Sequence, residues 1–403
     1  MTGRRWPQLI LAVLVSSLCL AGPVAAKSHH KPHHKAHHHK SHHKPGHESH
    51  HTAAPAAAGG GEGRLDLLVW RGYAEDAWVK PFEQHTSCTV VTHDALSSAD
   101  MVQTMRFGGN GAVDLVSAPA EITQTLIDRR EVTPIDVTLI PGWSDFFTAL
   151  KSPAFNTVNG VHWGLSYEWG QNTLIWNTTT VKQKPDSWAI LYDPRYRDHI
   201  AVPDNVFQIA DAALYLAKAR PALKIKDPFE LTPKQMAAVT ALLHQQRPLI
   251  RHYWTLASQE ITQFKSGRAW VGVGGPYQLA ALKSVGVPVA ETIPVEGATA
   301  WADSWMLASR ARHPNCAYLW MQWTSTPQVQ SAQALYFGET PANARACKAM
   351  DALKPGSCRL YHADGVGISK LRFQKAPQKH CAKGKNACLD LSEWRQIWAK
   401  AKE

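Results

Sequence analysis

An α/β protein of two lobes is what this sequence predicts, and three observations predict it. The chain has 403 residues, too many for one simple core. Short apolar runs of strand type alternate along it with amphipathic stretches of helical period. Hydrophobic residues make up 44% of the chain, which is ordinary for a globular protein and far too little for several membrane spans.

Taken in order, residues 1–26 read as a secretory signal. Arg4 and Arg5 form the basic start, Leu9 to Leu20 the apolar run, and Val24-Ala25-Ala26 a small-residue cleavage site. The run is short for a membrane span. Cys19 follows Ser-Ser-Leu instead of the small residue a lipoprotein signal requires, so a cleaved, soluble, exported product is expected. Residues 27–51 contain twelve histidines, five lysines and no apolar stretch able to build a core, and are expected to be disordered. Neutral imidazole suits zinc, copper or nickel, so this tract offers loose, many-site metal binding, with a solvated basic tail as the plain alternative. AAPAAAGGGEG, residues 53–63, reads as a flexible linker. The formal charge of +11 falls to +5 once the leader and the histidine tract are set aside, and no arginine-rich helix or zinc-finger spacing supports nucleic-acid binding.

The folded part starts at Leu65. LDLLVW, TVVTH (89–93) and VDLVS (113–117) are strand patterns, separated by helical stretches at AEDAWVKPFEQH and at Ser98 to Phe107, with ITQTLIDRREV following. Such alternation predicts a parallel sheet covered on both faces. GLSYEWGQNTLIWN (164–177) reads as one long strand with Gly170 inside it. Helices are expected at Ile209 to Ala219, at Thr232 to Leu243 behind a Thr-Pro start, and at 259–267. WVGVGG (270–275) is a strand running into glycines, and Asp390 with Glu393 forms a capping-box pair ahead of Trp394, Ile397 and Trp398.

Enzymatic signatures are absent: no G-x-S-x-G elbow, no P-loop, no H-E-x-x-H, and no G-x-G-x-x-G after the first strand. His93, His162, His252 and His362 are scattered without metal spacing, so neither a catalytic centre, nor a fixed metal site, nor a cofactor is expected. Tryptophan is in excess, with fifteen of sixteen beyond the leader. Trp70, Trp169 and Trp301 stand near strand ends, where ligands of parallel α/β sheets bind. The stretch PVEGATAWADSWM (294–306) sets Trp301 and Trp305 around Asp303, after a turn at Glu296-Gly297. On a strand these three share a face, and indole beside an anion suits an organic cation.

These residues resemble the spermidine/putrescine-binding group of periplasmic solute-binding proteins of ABC importers. The resemblance runs from about Leu65 to Glu403 and is carried by LLVWRGY, VDLVSAP, YEWGQNTLIWN, PDSWAILYDPRYRDHIAVPDN, EGATAWADSWML and GETPAN, in the family's order. It implies a type II-like two-lobed fold, each lobe a mixed sheet covered by helices, with a hinge between. Lobe 1 is expected over 64–169 and 303–346, and lobe 2 over 170–302 and 347–403. The implied function is that of a monomeric periplasmic receptor, not an enzyme, which binds a polyamine or related amine between the lobes and delivers it to an inner-membrane ABC permease. A different small solute, or metal handling by the histidine tract, are the alternatives.

By position, the resemblance makes Trp70, Tyr73 and Trp301 aromatic walls, Asp303 the amine-binding carboxylate, and Gln374 a polar contact. The family's other acidic pair falls on Asn205 and Gln208. An aromatic becomes Gly275, with Tyr277 two residues on, and a serine and a tyrosine become Pro119 and Glu121. Three accounts stay open: Glu121 or Glu168 compensates, the ligand is a monocation with a polar far end, or a one-residue shift at Asp204 restores the acid. Six cysteines follow the leader, with fifteen possible pairings in an exported chain. Short loops suggest Cys347–Cys358 and Cys381–Cys388, leaving Cys88–Cys316, both in lobe 1 by the resemblance.

Overall fold

The computed structural model describes residues 60–107, 111–381 and 387–403; the expected signal, the histidine tract, most of the expected linker, 108–110 and 382–386 lie outside the described residues. Its strands are β1 (Arg64–Trp70), β2 (Thr89–Ala95), β3 (Leu115–Pro119), β4 (Thr157–Val158), β5 (Val161–His162), β6 (Leu165–Gln171) and β7 (Thr173–Asn177). They continue with β8 (Ile200–Ala201), β9 (Val271–Gly274), β10 (Val289–Thr292), β11 (Ala298–Leu307), β12 (Thr340–Pro341) and β13 (Leu371–Phe373).

Two sheets carry the molecule. The larger runs β12-β6-β11-β3-β1-β2, with β13 on the far half of β11; the smaller runs β10-β7-β9-β8. The strand–helix alternation of the first hundred residues does produce a parallel set, β2-β1-β3. The sheet as a whole is mixed, because β11 inserts antiparallel between β3 and β6. A parallel sheet is therefore the wrong expectation beyond β3. Its cause is a strand that returns from far along the chain, which local periodicity does not reveal.

Both faces of the larger sheet are covered, and the pattern in β1 shows how. Leu65, Leu67 and Val69 pack toward the helices Asp76–Thr86 and Pro314–Thr324, while Leu68 between them packs with Met101, Met105, Ile122 and Leu126 on the other side. Successive side chains on a strand point to opposite faces, so one strand feeds two cores. In the smaller sheet, Ile175 and Ala201 meet Phe264, Leu279 and Leu282 of the helices Ala257–Lys265 and Pro276–Ser284. A third cluster joins the helices Gln208–Ala219, Pro233–Gln246 and Leu391–Ala401 through Phe229, Trp394 and Trp398. The capping box of Asp390 and Glu393 is present at the start of the last helix.

The stretch 164–177 is not one strand. It breaks at Asn172, with β6 in the larger sheet and β7 in the smaller. The chain crosses back between Thr292 and Ala298, through the turn closed by Gly297 N–H donating to Pro294 O. Strands β6 and β11 run unbroken through the positions 169/170 and 302/303 where the lobe boundaries were expected. At the crossing, Asn172 donates its backbone N–H to Thr299 O and its side-chain amide to Thr299 Oγ1. Thr299 in turn donates to Asp211 Oδ1 at 2.8 Å.

Disulfides join Cys88 to Cys316, Cys347 to Cys358 and Cys381 to Cys388. The last residues of the expected linker are docked. Gly61 lies against the Cys88–Cys316 bridge, and Glu62 accepts from the N–H groups of Asn315 and Cys316 at 2.9 and 2.8 Å.

Candidate ligand-binding cleft

Where the chain crosses between sheets there is a cleft of about 540 Å³, within the range that holds small organic ligands. Of the residues singled out from sequence, Trp70, Tyr73, Glu121, Asn205, Gln208, Trp301, Asp303 and Gln374 line it. Glu168 and Tyr277 do not: Glu168 is fully buried behind the wall, and Tyr277 is largely exposed outside the lining. Trp169 and Trp305 are also core, not wall. Trp169 donates its indole N–H to Pro341 O, and Trp305 packs against Tyr167 and Trp320. Strand β11 descends from the cleft into the core, so sharing parity with Asp303 does not bring Trp305 to the ligand.

Each wall residue is delivered by a local device. Trp70 ends β1, and the turn that follows, with Tyr73 N–H donating to Trp70 O, brings Tyr73 under it. Tyr73 is fixed edge-on against Phe337 and Tyr167 at 4.9 and 5.4 Å between ring centres. Asp303 sits where the β11–β6 register slips, so that one extra residue of β6 lies opposite it. Bulges of this kind re-aim side chains beside binding sites. Trp301 faces Gly170 across the ladder, and a Cβ at Gly170 would come within 2.8 Å of the indole. The glycine inside the strand is therefore the seat of the aromatic wall.

Glu339 is the residue that sequence reasoning missed. The helix Pro327–Phe337 stops at Gly338, whose φ of 76° is the left-handed cap, and the next residue enters the cleft. GETPAN had been read only as a family mark; a glycine helix stop followed by an acid was the available signal. Tyr73 donates its hydroxyl to Asp303 Oδ2 at 2.7 Å and lies 3.4 Å from Glu339 Oε2. Glu121, on the helix Ala120–Asp128, accepts from Ser98 Oγ.

Burial and crowding of like charges tune these acids upward. Burial raises Asp303 to about 7, the Tyr73 hydrogen bond opposing the shift and the Glu121 charge adding to it. Glu339 is pushed well above the usual carboxylate range by burial and by Asp303. Glu168 is raised likewise, by burial and then by Glu339 and Asp303. Its two oxygens have no hydrogen-bond partner, which fits a protonated acid. No lysine or arginine pairs with Asp303, Glu339 or Glu121 among the described residues. Arg71 lines the cleft but is paired with Asp94.

The opposite end is made of amides. Asn205 precedes the helix Gln208–Ala219, and its carbonyl accepts from Phe207 N–H. Gln208 donates to Asp211, a buried acid raised to about 7 chiefly by burial and opposed by hydrogen bonds from Thr299. Asp204 is present here, but its Oδ1 accepts from Lys402 at 2.6 Å and from the Trp398 indole at 2.9 Å. Trp254, Gln278 and Asn172 complete this end. Gly272 and Gly274 of β9 leave room beneath for the buried carboxyl of Glu260.

Among the described residues one group of acids and a histidine has the spacing of a metal site. Asp66, Asp114 and His313 converge at the opposite end of the strands. Their oxygens already answer Arg64, His93, His313 and three backbone N–H groups, as a structural network does.

Two sheets of mixed strands, helices on their faces and a polar, aromatic cleft at the crossing define a two-lobed solute-binding protein. The chain belongs to the bacterial extracellular solute-binding proteins, whose family model matches residues 77–353; these are binding proteins and not enzymes. It is 24% identical over 285 residues to the putrescine-binding periplasmic protein PotF of Escherichia coli, covering 66% of this chain and 74% of the relative. It is 23% identical over 297 residues to the putrescine/agmatine-binding protein of Pseudomonas aeruginosa, covering 69% and 78%. Its fold is shared with the spermidine/putrescine substrate-binding protein PotD of Streptococcus pneumoniae, at a TM-score of 0.68 and 16% identity over 84% of this chain and 98% of that one. No helix among the described residues is long and apolar enough to cross a membrane.

Proposed function

We propose that this protein is a periplasmic receptor that binds a small organic cation in the cleft and presents it to an ABC permease. The carrying observation is the pairing of Asp303 and Glu339 around the Tyr73 hydroxyl, in a cleft that the indoles of Trp70 and Trp301 also line, without a basic side chain to neutralise them. Buried acids held near or above neutral pH are poorly solvated, and an incoming ammonium supplies both the charge and the hydrogen bonds that ionise them. Indole faces attract the same cation. The names of the relatives, putrescine- and spermidine-binding, agree with this ligand class.

The test is calorimetry together with mass spectrometry of the small molecule released on mild unfolding. Asp303→Asn keeps shape and hydrogen bonding while removing the charge, and is expected to weaken binding of the released ligand by on the order of 3 kcal/mol, a hundredfold or more. Equal affinity in parent and variant would make a neutral or anionic solute the better reading.

A further inference from the structure

The two ends of the cleft are chemically unlike. One end holds Asp303, Glu339 and Glu121. The other holds no available charge, because the one acid that lines it, Asp204, is already answered by Lys402 and Trp398. Asp211 lies beyond Gln208, which donates to it, and is not part of the lining.

The hydrogen-bonding capacity left at that end is mixed. Asn205 has its carbonyl engaged by Phe207 N–H and keeps its amide donors. Gln208 and Asn172 have their amide nitrogens engaged by Asp211 and Thr299 and keep their carbonyls. An ammonium carries donors and no acceptor, so it cannot meet the Asn205 amide and finds no counter-charge here. An amide or hydroxyl both donates and accepts, and burial of such a group is tolerable once it is hydrogen-bonded.

Resting on the cation reading of the cleft, we infer that the ligand is an asymmetric monocation. It has one ammonium end for Asp303 and Glu339 and one uncharged amide- or hydroxyl-bearing end for Asn205, Gln208 and Asn172, in place of a diamine charged at both ends. Of the three accounts left open by the sequence, the engagement of Asp204 removes the restored acid. The burial of Glu168 behind the acidic end removes compensation from that residue at the amide end.

The experiment uses the whole exported protein, stripped of bound solute, and three probes of equal chain length: putrescine, N-acetylputrescine and butylamine. N-acetylputrescine is expected to bind at least tenfold more tightly than either of the others. Asn205→Asp, and independently Gln208→Glu, should improve putrescine tenfold or more and weaken N-acetylputrescine. Thermal melting of both variants checks that they fold. Putrescine binding as tightly as N-acetylputrescine to the parent overturns the asymmetry, while the cation reading survives if Asp303→Asn still weakens putrescine. Failure of all three probes to bind, with the co-purified solute indifferent to Asp303→Asn, overturns both.

Discussion

Burial disfavours the charge of Asp303 and raises its carboxyl to about 7, well above the ordinary range of an aspartate. A bound cation reverses that preference. Affinity for an amine should therefore rise as pH climbs from about 5.5 through 7, by up to about tenfold per pH unit for one proton released. Calorimetry across that range checks it, and Asp303→Asn should flatten the profile. The empty protein follows the opposite sign: a carboxyl raised on folding binds its proton more tightly in the native state, so its contribution to stability declines between about pH 4 and 7. At Gly170 the consequence is steric. Gly170→Ala drives a methyl into the Trp301 indole, and tilting that wall should cost about 1–2 kcal/mol of ligand affinity, roughly tenfold, with the melting temperature little changed. An unchanged affinity in Gly170→Ala would mean that the indole is not held against the ligand. Trp70, Tyr73, Trp301 and Asp303 were legible because strand ends and family position both point to them. Glu168 was not, since the strand pattern of YEWG gives its neighbours' faces but not the slip in register that turns the carboxyl away from the cleft.

Among the elements, the helix Pro314–Thr324 has an unusual cap. Pro314 opens it, His313 at the cap position makes no side-chain cap hydrogen bond, and Glu62 supplies both acceptors from 250 residues away in sequence. Carboxylates at helix starts satisfy free N–H groups and favour the helix dipole. Glu62→Ala should destabilise the protein by about 1 kcal/mol, read as a shift of the denaturant midpoint, without changing ligand affinity. Sequence reasoning left Glu62 in a linker because a cap contributed from so far along the chain has no local mark. The helices with their own caps, Thr232 and Asp390 above all, start where those caps predict. In the stretch 164–177 apolar periodicity is continuous across Asn172, and only pairing shows where one strand ends and the next begins.

For the molecule as a whole, the Cys88–Cys316 bridge closes a loop spanning 228 residues and lies away from the cleft. Replacing both cysteines by serine should cost about 2–4 kcal/mol of stability and leave ligand binding intact at low temperature. Loss of binding in a variant that still melts cooperatively would show the bridge acting on the cleft. The two-lobed arrangement was legible from length, strand–helix alternation and family marks together. The order of strands was not, because it hangs on β11. That strand, Ala298–Leu307, has β6 on one side and β3 and β13 on the other, and it is made after about three quarters of the chain. Until it emerges, β1 to β3 have an open edge and β6 lacks its neighbour, so the larger sheet cannot close. Contacts this distant are slow to form. The larger sheet therefore stays unfinished for most of synthesis, which is the condition an exported chain needs if it is to thread through a membrane channel before that sheet folds.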